Sequence, residues 1–145
     1  MIIRPSGVWV VDGKLLTMRY SYGGRDRFNL PGGNQEPEEE IRTGLVREFQ
    51  EELGVDVVAG DLLFTAETVA GGREVLHLLF NIESIAGSPQ LNDQETKALE
   101  LVWLSPKELF SASMYPAIGS VLAKWMVNSE KSATYLGRVF QDWIE

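Results

Sequence analysis

Apolar residues along this chain fall into short runs separated by glycine, proline and charged positions, and the period of each run predicts an element. Residues 7–11 and 14–20 flank Asp12-Gly13, a dipeptide suited to a tight turn, which predicts a β-hairpin. Residues 21–26 are polar and glycine-bearing, which predicts a loop. Residues 28–30 read as a short extended piece, because Pro31 disfavours helix at the residue ahead of it. Gly32-Gly33 begin another loop, and residues 38–53 predict a helix stopped by Gly54. Further strands are expected at 55–58, 62–69, 74–85 and 99–104, with Ala70-Gly71-Gly72 turning the chain between the second and third of these.

Two helices are expected to close the chain. Ser105-Pro106-Lys107-Glu108 has the form of a capping box with proline at the first helical position. Ile118, Val121, Leu122, Trp125 and Met126 then recur with the spacing of an amphipathic helix. A hairpin, a helix, several strands and then helices predict an α/β fold with a mixed sheet covered by helices, rather than a regular βαβ repeat.

Composition narrows the picture. With 145 residues, 44% of them hydrophobic, and no repeat, linker or low-complexity tract, the chain reads as one domain over 1–145. The net charge of −8, from 21 acidic and 13 basic residues, argues against a nucleic-acid partner, since phosphate backbones reward clustered Lys and Arg. The absence of cysteine excludes disulfides and thiolate chemistry. The start, MIIRPSG, lacks the pattern of a signal peptide, and no apolar run approaches the roughly 20 residues that span a bilayer. The expected compartment is cytoplasmic.

Candidate chemistry sits on the first helix. At about 100° per residue, Ile41, Leu45, Phe49 and Leu53 form one stripe facing the sheet. Glu48, Glu51 and Glu52 form an adjoining stripe, with Gly44 one turn earlier. Acidic runs on helices are usually solvated faces, and like charges at this spacing repel by roughly 0.2–0.5 kcal/mol per pair. A divalent cation bound among them would turn that repulsion into a site. Glycine inside a helix costs roughly 0.5–1 kcal/mol relative to alanine, so Gly44 suggests close approach by a ligand or a neighbouring loop. Arg47 can reach the carboxylates, and Leu30-Pro31-Gly32-Gly33 lets backbone come close to them.

Residues 33–55, GNQEPEEEIRTGLVREFQEELGV, resemble the Nudix box, G-x5-E-x7-R-E-U-x-E-E-x-G-U with U a bulky apolar residue. Gly33, Glu39, Arg47, Glu48, Glu51, Glu52 and Gly54 occupy its fixed positions, and Phe49 and Val55 its apolar ones. Phe49 stands where an aliphatic residue is commoner, and Gly44 where alanine is frequent. The resemblance implies an α/β/α sandwich around a mixed, mostly antiparallel sheet. It also implies hydrolysis, dependent on Mg²⁺ or Mn²⁺, of a nucleoside diphosphate linked to another group X. By the same resemblance, Glu48, Glu51, Glu52 and the Gly33 carbonyl bind metal, and Arg47 orients the glutamates. Glu39 serves the start of the helix and the Arg47 network, and Gly32, Glu36 and Gly54 shape the motif. Because many members pair, the resemblance also implies a homodimer as a candidate assembly.

A catalytic base is expected at Glu52 or at Glu95, since a glutamate shortly before a strand of this type takes that role in some members; Asp93 and Glu100 are rivals. Tyr20, Tyr22, Arg25, Arg27 and Phe28 crowd the segment before the box, where a ring can stack on a base and a cation can meet phosphate. The lone histidine, His77, reads as a strand residue with a local hydrogen bond. Trp9, Trp103 and Trp125 read as core, and Tyr115 and Tyr135 as pocket wall or dimer contact. Group X stays open among nucleoside triphosphates, ADP-ribose and other nucleotide sugars, and dinucleoside polyphosphates. Two other classes compete: a Nudix-fold module that senses a nucleotide without turnover, and an RNA-end pyrophosphohydrolase.

Overall fold

The computed structural model describes residues 1–128 and 134–141. The expected single domain also takes in 129–133 and 142–145, which lie outside the described residues. In chain order the elements are β1 (Ile2–Val8), β2 (Val10–Val11), β3 (Lys14–Tyr22), β4 (Arg25–Asn29), α1 (Ile41–Leu53), β5 (Asp56–Ala70) and β6 (Arg73–Ala86). They continue with β7 (Glu100–Leu104), α2 (Pro106–Leu109), β8 (Met114–Tyr115), α3 (Gly119–Asn128) and β9 (Thr134–Arg138). One sheet runs β1-β6-β5-β9; the other runs β2-β3-β4-β8, with β7 on the free side of β3. The β1–β6, β4–β8 and β5–β9 pairs are parallel and the others antiparallel.

Strand alternation divides the apolar residues between two clusters. Leu16 and Met18 of β3 and Leu78, Phe80 and Ile82 of β6 pack with Leu45, Phe49 and Leu53 of α1. Leu15 and Leu79 face the other way, toward Leu109 of α2, Leu122 and Ala123 of α3, and Ile118 just ahead of it. Helices on both sides of curled sheets make the α/β/α sandwich. The tryptophans are half-buried at the cluster edges, Trp9 and Trp103 on the α1 side and Trp125 on the other. Among the described residues no helix is long and apolar enough to cross a membrane.

Several boundaries differ from the sequence expectation. Residues 7–11 are divided between β1 and β2. Most of β1 carries no readable strand signal because Pro5 and Gly7 interrupt it; its partner is β6, with Ile2 opposite Val75. Residues 21–26 are the tip of a hairpin rather than a loop: β3 and β4 pair up to Tyr22 and Arg25, and Gly23-Gly24 turn with φ of 58° and 74°. Helix α1 begins at Ile41, because Glu38 takes φ 64° and Glu40 is extended. The strands expected at 55–58 and 62–69 are one, β5, with irregular register near Ala59 to Phe64. The Ser105–Glu108 capping box forms, on a helix of a single turn. Short β8 and late β9 have no pattern long enough to read.

Candidate active site

Arg47 organises the beginning of the site. Its Nε donates to Glu39 Oε2 at 2.7 Å and its Nη2 to Glu39 Oε1 at 3.1 Å, a two-pronged clamp. Its Nη1 donates to Glu48 Oε1 at 3.1 Å and Glu51 Oε2 at 3.0 Å, and stands 3.6 Å from Glu36 Oε1. These carboxylates, Glu39 first, hold the guanidinium charged well past its ordinary range. The clamp in turn pulls the Glu39 carboxyl below the usual carboxylate range. A neighbouring loop explains Gly44: a Cβ there would lie 2.6 Å from Glu39 Oε1. Gly54 closes the helix in the left-handed conformation at φ 66°.

Glu48 and Glu52 lie deeper. A Cβ on Gly33 would be 2.4 Å from the Glu48 carboxyl carbon, so any other residue here would displace the Glu48 carboxylate. Burial raises the Glu48 pKa despite Arg47. Glu52 is 8% exposed, and burial, reinforced by the Glu48 charge, pushes it up to about 7. Arg4, the Gly32 N–H and the Thr96 hydroxyl oppose that rise. Glu52 Oε1 is buried without a hydrogen-bond partner. An orphaned carboxylate oxygen beside a second carboxylate and a glycine turn is an oxygen-only donor set, which fits a hard dication. Among the described residues, however, no group of three or more His, Asp or Glu side chains is assembled to hold a metal ion.

The segment ahead of β7 is tied to α1 through backbone: Asn92 N–H donates to Glu52 O at 2.9 Å and Gln90 N–H to Leu53 O at 3.0 Å. Glu95 and Asp93 are exposed on it, and Glu100 is engaged by Arg19 Nε at 2.8 Å. The residue of this segment turned toward Glu52 is Thr96, 9% exposed and 3.1 Å from the Tyr20 hydroxyl. Thr96 and Arg4 are the members of the site that the sequence reading missed. Neither has a periodic or motif signal; one lies before the hairpin and the other far beyond the box.

The hairpin presents Tyr20, Tyr22, Arg25 and Arg27 on one face, because Tyr20 pairs with Arg27 and Tyr22 with Arg25. The two tyrosine rings stack with centroids 6.0 Å apart. Arg25 is exposed and Arg27 is buried. Phe28 points to the opposite face, against the cluster beneath α2 and α3, and so stands apart from the other candidates of this segment. His77 has the expected local bond, Nε2 to Thr68 Oγ1 at 2.8 Å, and its ring meets Tyr115 edge-on at 5.1 Å. Tyr135 is exposed and bonded to Glu67.

An α/β/α sandwich carrying an arginine-organised carboxylate helix against a glycine turn defines a class of hydrolases. The NUDIX domain model matches residues 2–125, and the chain belongs to the NUDIX family of hydrolases. It is 32% identical over 100 residues to the CTP pyrophosphohydrolase of Escherichia coli (strain K12), covering 68% of this chain and 70% of that protein. It is 31% identical over 94 residues to the nucleoside triphosphatase NudI of Salmonella newport (strain SL254), covering 57% of this chain and 64% of that protein. The solution structure of the E. coli ORF135 protein superposes with a TM-score of 0.75 at 27% identity, covering 89% of this chain and 91% of that one.

Proposed function

We propose that this chain is a Mg²⁺- or Mn²⁺-dependent pyrophosphohydrolase that cleaves a phosphoanhydride of a nucleoside diphosphate linked to another group, with nucleoside triphosphates the favoured class. The observation that carries the reading is the half-buried Glu48 against Gly33 beside the buried Glu52, whose Oε1 is unpartnered. Similarity to a CTP pyrophosphohydrolase and a nucleoside triphosphatase supports the choice of substrate class.

Glu48, Glu51, Glu52 and the Gly33 carbonyl would hold the metal. Bound there, it would neutralise phosphate oxygens and lower the pKa of water for attack on phosphorus. The chain's own groups do the rest. Arg47 fixes the rotamers of Glu48 and Glu51 from the side away from substrate. Glu52, buried with Oε1 unpartnered, is one candidate for the proton acceptor. Glu95 is the second candidate, within the segment anchored to Glu52. Tyr20, Tyr22 and Arg25, on one face of the hairpin, offer stacking for a base and a cation for phosphate.

The test is product analysis on CTP, other nucleoside triphosphates, ADP-ribose, nucleotide sugars and dinucleoside polyphosphates, each with Mg²⁺, Mn²⁺ or chelator. We expect metal-dependent release of a nucleoside monophosphate and pyrophosphate from one or more triphosphates. Glu52→Gln should lower turnover by about 100-fold or more. Full activity in the Glu48→Gln, Glu51→Gln, Glu52→Gln triple variant would sink the assigned site. Tight nucleotide binding without turnover would instead favour a sensor.

A further inference from the structure

Arg4 lies on β1 opposite His77 of β6 and is half-buried. Among the described residues its guanidinium makes no hydrogen bond or ion pair. Its neighbours on β1 press against the glycine turn of the site. The Gly33 N–H donates to Pro5 O at 3.2 Å, and a Cβ on Gly32 would lie 2.3 Å from that oxygen and 2.7 Å from Ser6 Cα. Gly33 in turn borders Glu48. The Arg4 charge is accordingly felt at Glu48, Glu52, Tyr20 and His77, which it biases toward lower pKa.

Glu48 is half-buried and pairs with Arg47, whereas the buried Glu52 forms no ion pair among the described residues. Arg4 closes an ion pair with neither, and its donors are left uncommitted. Other arginines around the site are engaged: Arg19 by Asp26 and Glu100, and Arg42 by Gly60 O and the Phe80 ring. The Ser6 hydroxyl, two residues on along β1, and His77 Nδ1, across the register, are also buried without partners. The patch therefore has hydrogen-bonding capacity to spare beside the carboxylate helix. A partly desolvated guanidinium with free donors matches the paired acceptor oxygens of a phosphate.

We propose that Arg4 is a phosphate-binding residue of this site, gripping the substrate's polyphosphate from the β1 side, opposite the metal-binding glutamates. This rests on the nucleotide-hydrolase reading above. A polyphosphate carries more negative charge than a metal at the glutamates cancels, and Arg4 meets the remainder without adding to the metal shell. Removing Arg4 should thus weaken nucleotide binding and leave cation binding intact or tighter, since a like charge has gone.

The experiment compares wild type, Arg4→Met and Arg4→Lys by calorimetric titration with the Mg²⁺ complexes of α,β-methylene-CTP and of inorganic triphosphate. Mn²⁺ binding to the nucleotide-free proteins is followed by electron paramagnetic resonance. Methionine keeps the apolar stem, and lysine keeps the charge without the fork. We expect Arg4→Met to lose about tenfold or more in affinity for both probes, with Arg4→Lys between it and wild type. Mn²⁺ affinity should not fall. Equal probe affinity in wild type and Arg4→Met overturns the proposal, as does failure of wild type to bind either probe. A parallel loss of Mn²⁺ binding would also overturn it, by making Arg4 an organiser of the carboxylates. Arg4-dependent probe binding without turnover of any nucleotide would sink the hydrolase reading alone. Turnover with Arg4-independent binding would sink the Arg4 proposal alone.

Discussion

Thr96 shows how donor accounting assigns a role to an uncharged side chain. Its hydroxyl accepts from the Ala98 N–H at 3.2 Å and lies 3.1 Å from the Tyr20 hydroxyl. Burial raises the Tyr20 pKa, so the phenol keeps its proton at neutral pH and can donate. With both its lone pairs engaged, Thr96 has its own hydrogen left for the Glu52 carboxylate. If Glu52 holds the metal as proposed, Thr96→Val should cut turnover by about 10–100-fold, the usual cost of losing a group that orients a metal ligand. Thr96→Ser should restore most of it. Steady-state kinetics of the two variants, beside their melting temperatures, checks this; equal damage from Ser and Val would mean that the methyl group's packing matters instead.

Between elements, the position of α1 depends on one close contact. A Cβ on Gly7 of β1 would lie 2.6 Å from the Phe49 ring, and 2.9 Å from Ile82 Cγ1 on β6. Since Phe49 is fully buried, the ring has nowhere to retreat. Gly7→Ala should cost about 1–3 kcal/mol by overpacking. Phe49→Leu in the same molecule should recover part of that loss, giving a favourable coupling in a double-mutant cycle read by denaturant unfolding. Simple additivity would show that α1 shifts freely. The aromatic residue at this position of the box and the glycine on β1 are thus one packing solution, which explains why the commoner aliphatic is absent.

Across the whole molecule, two buried groups pull stability in opposite directions with pH. His77 is fully buried, and desolvation lowers its pKa from 6.5 to about 3. The unfolded chain therefore takes up this proton first as pH falls, and each unit below about 6.5 costs roughly 1.4 kcal/mol until the folded pKa is reached. Glu52, raised from 4.5 to about 7, binds its proton first in the folded state and adds stability as pH falls across that interval. The two nearly cancel between 4.5 and 6.5. Below that window His77 dominates, joined by Glu39, whose depressed carboxyl loses its clamp on protonation. Metal-free wild type should be nearly level in stability down to about pH 4.5 and then fall steeply, whereas His77→Gln should fall less. Denaturant unfolding at several pH values compares them, and parallel curves would exclude His77 as the source.

The carboxylate helix α1 was legible in the sequence because its information is local. Arg47, Glu48, Glu51 and Glu52 lie within two turns, so a period of 3.6 residues places them together whatever surrounds the helix. Gly33, Glu39 and Gly54 mark its approaches in the same short span. Alternation likewise announced β3, β6 and β7. Strand β1 escaped because proline and glycine blur its pattern and its partner is β6, beyond the box. The hairpin tip at Gly23-Gly24 escaped because polar residues there read as loop until pairing with β3 is known. Only the tertiary structure turned Phe28 away from the tyrosines, brought Arg4 and Thr96 to Glu52, and moved the carboxyl pKa toward neutrality. Spacing along one helix is written in the chain itself, whereas burial, strand register and the charges felt across a gap exist only once distant segments have packed.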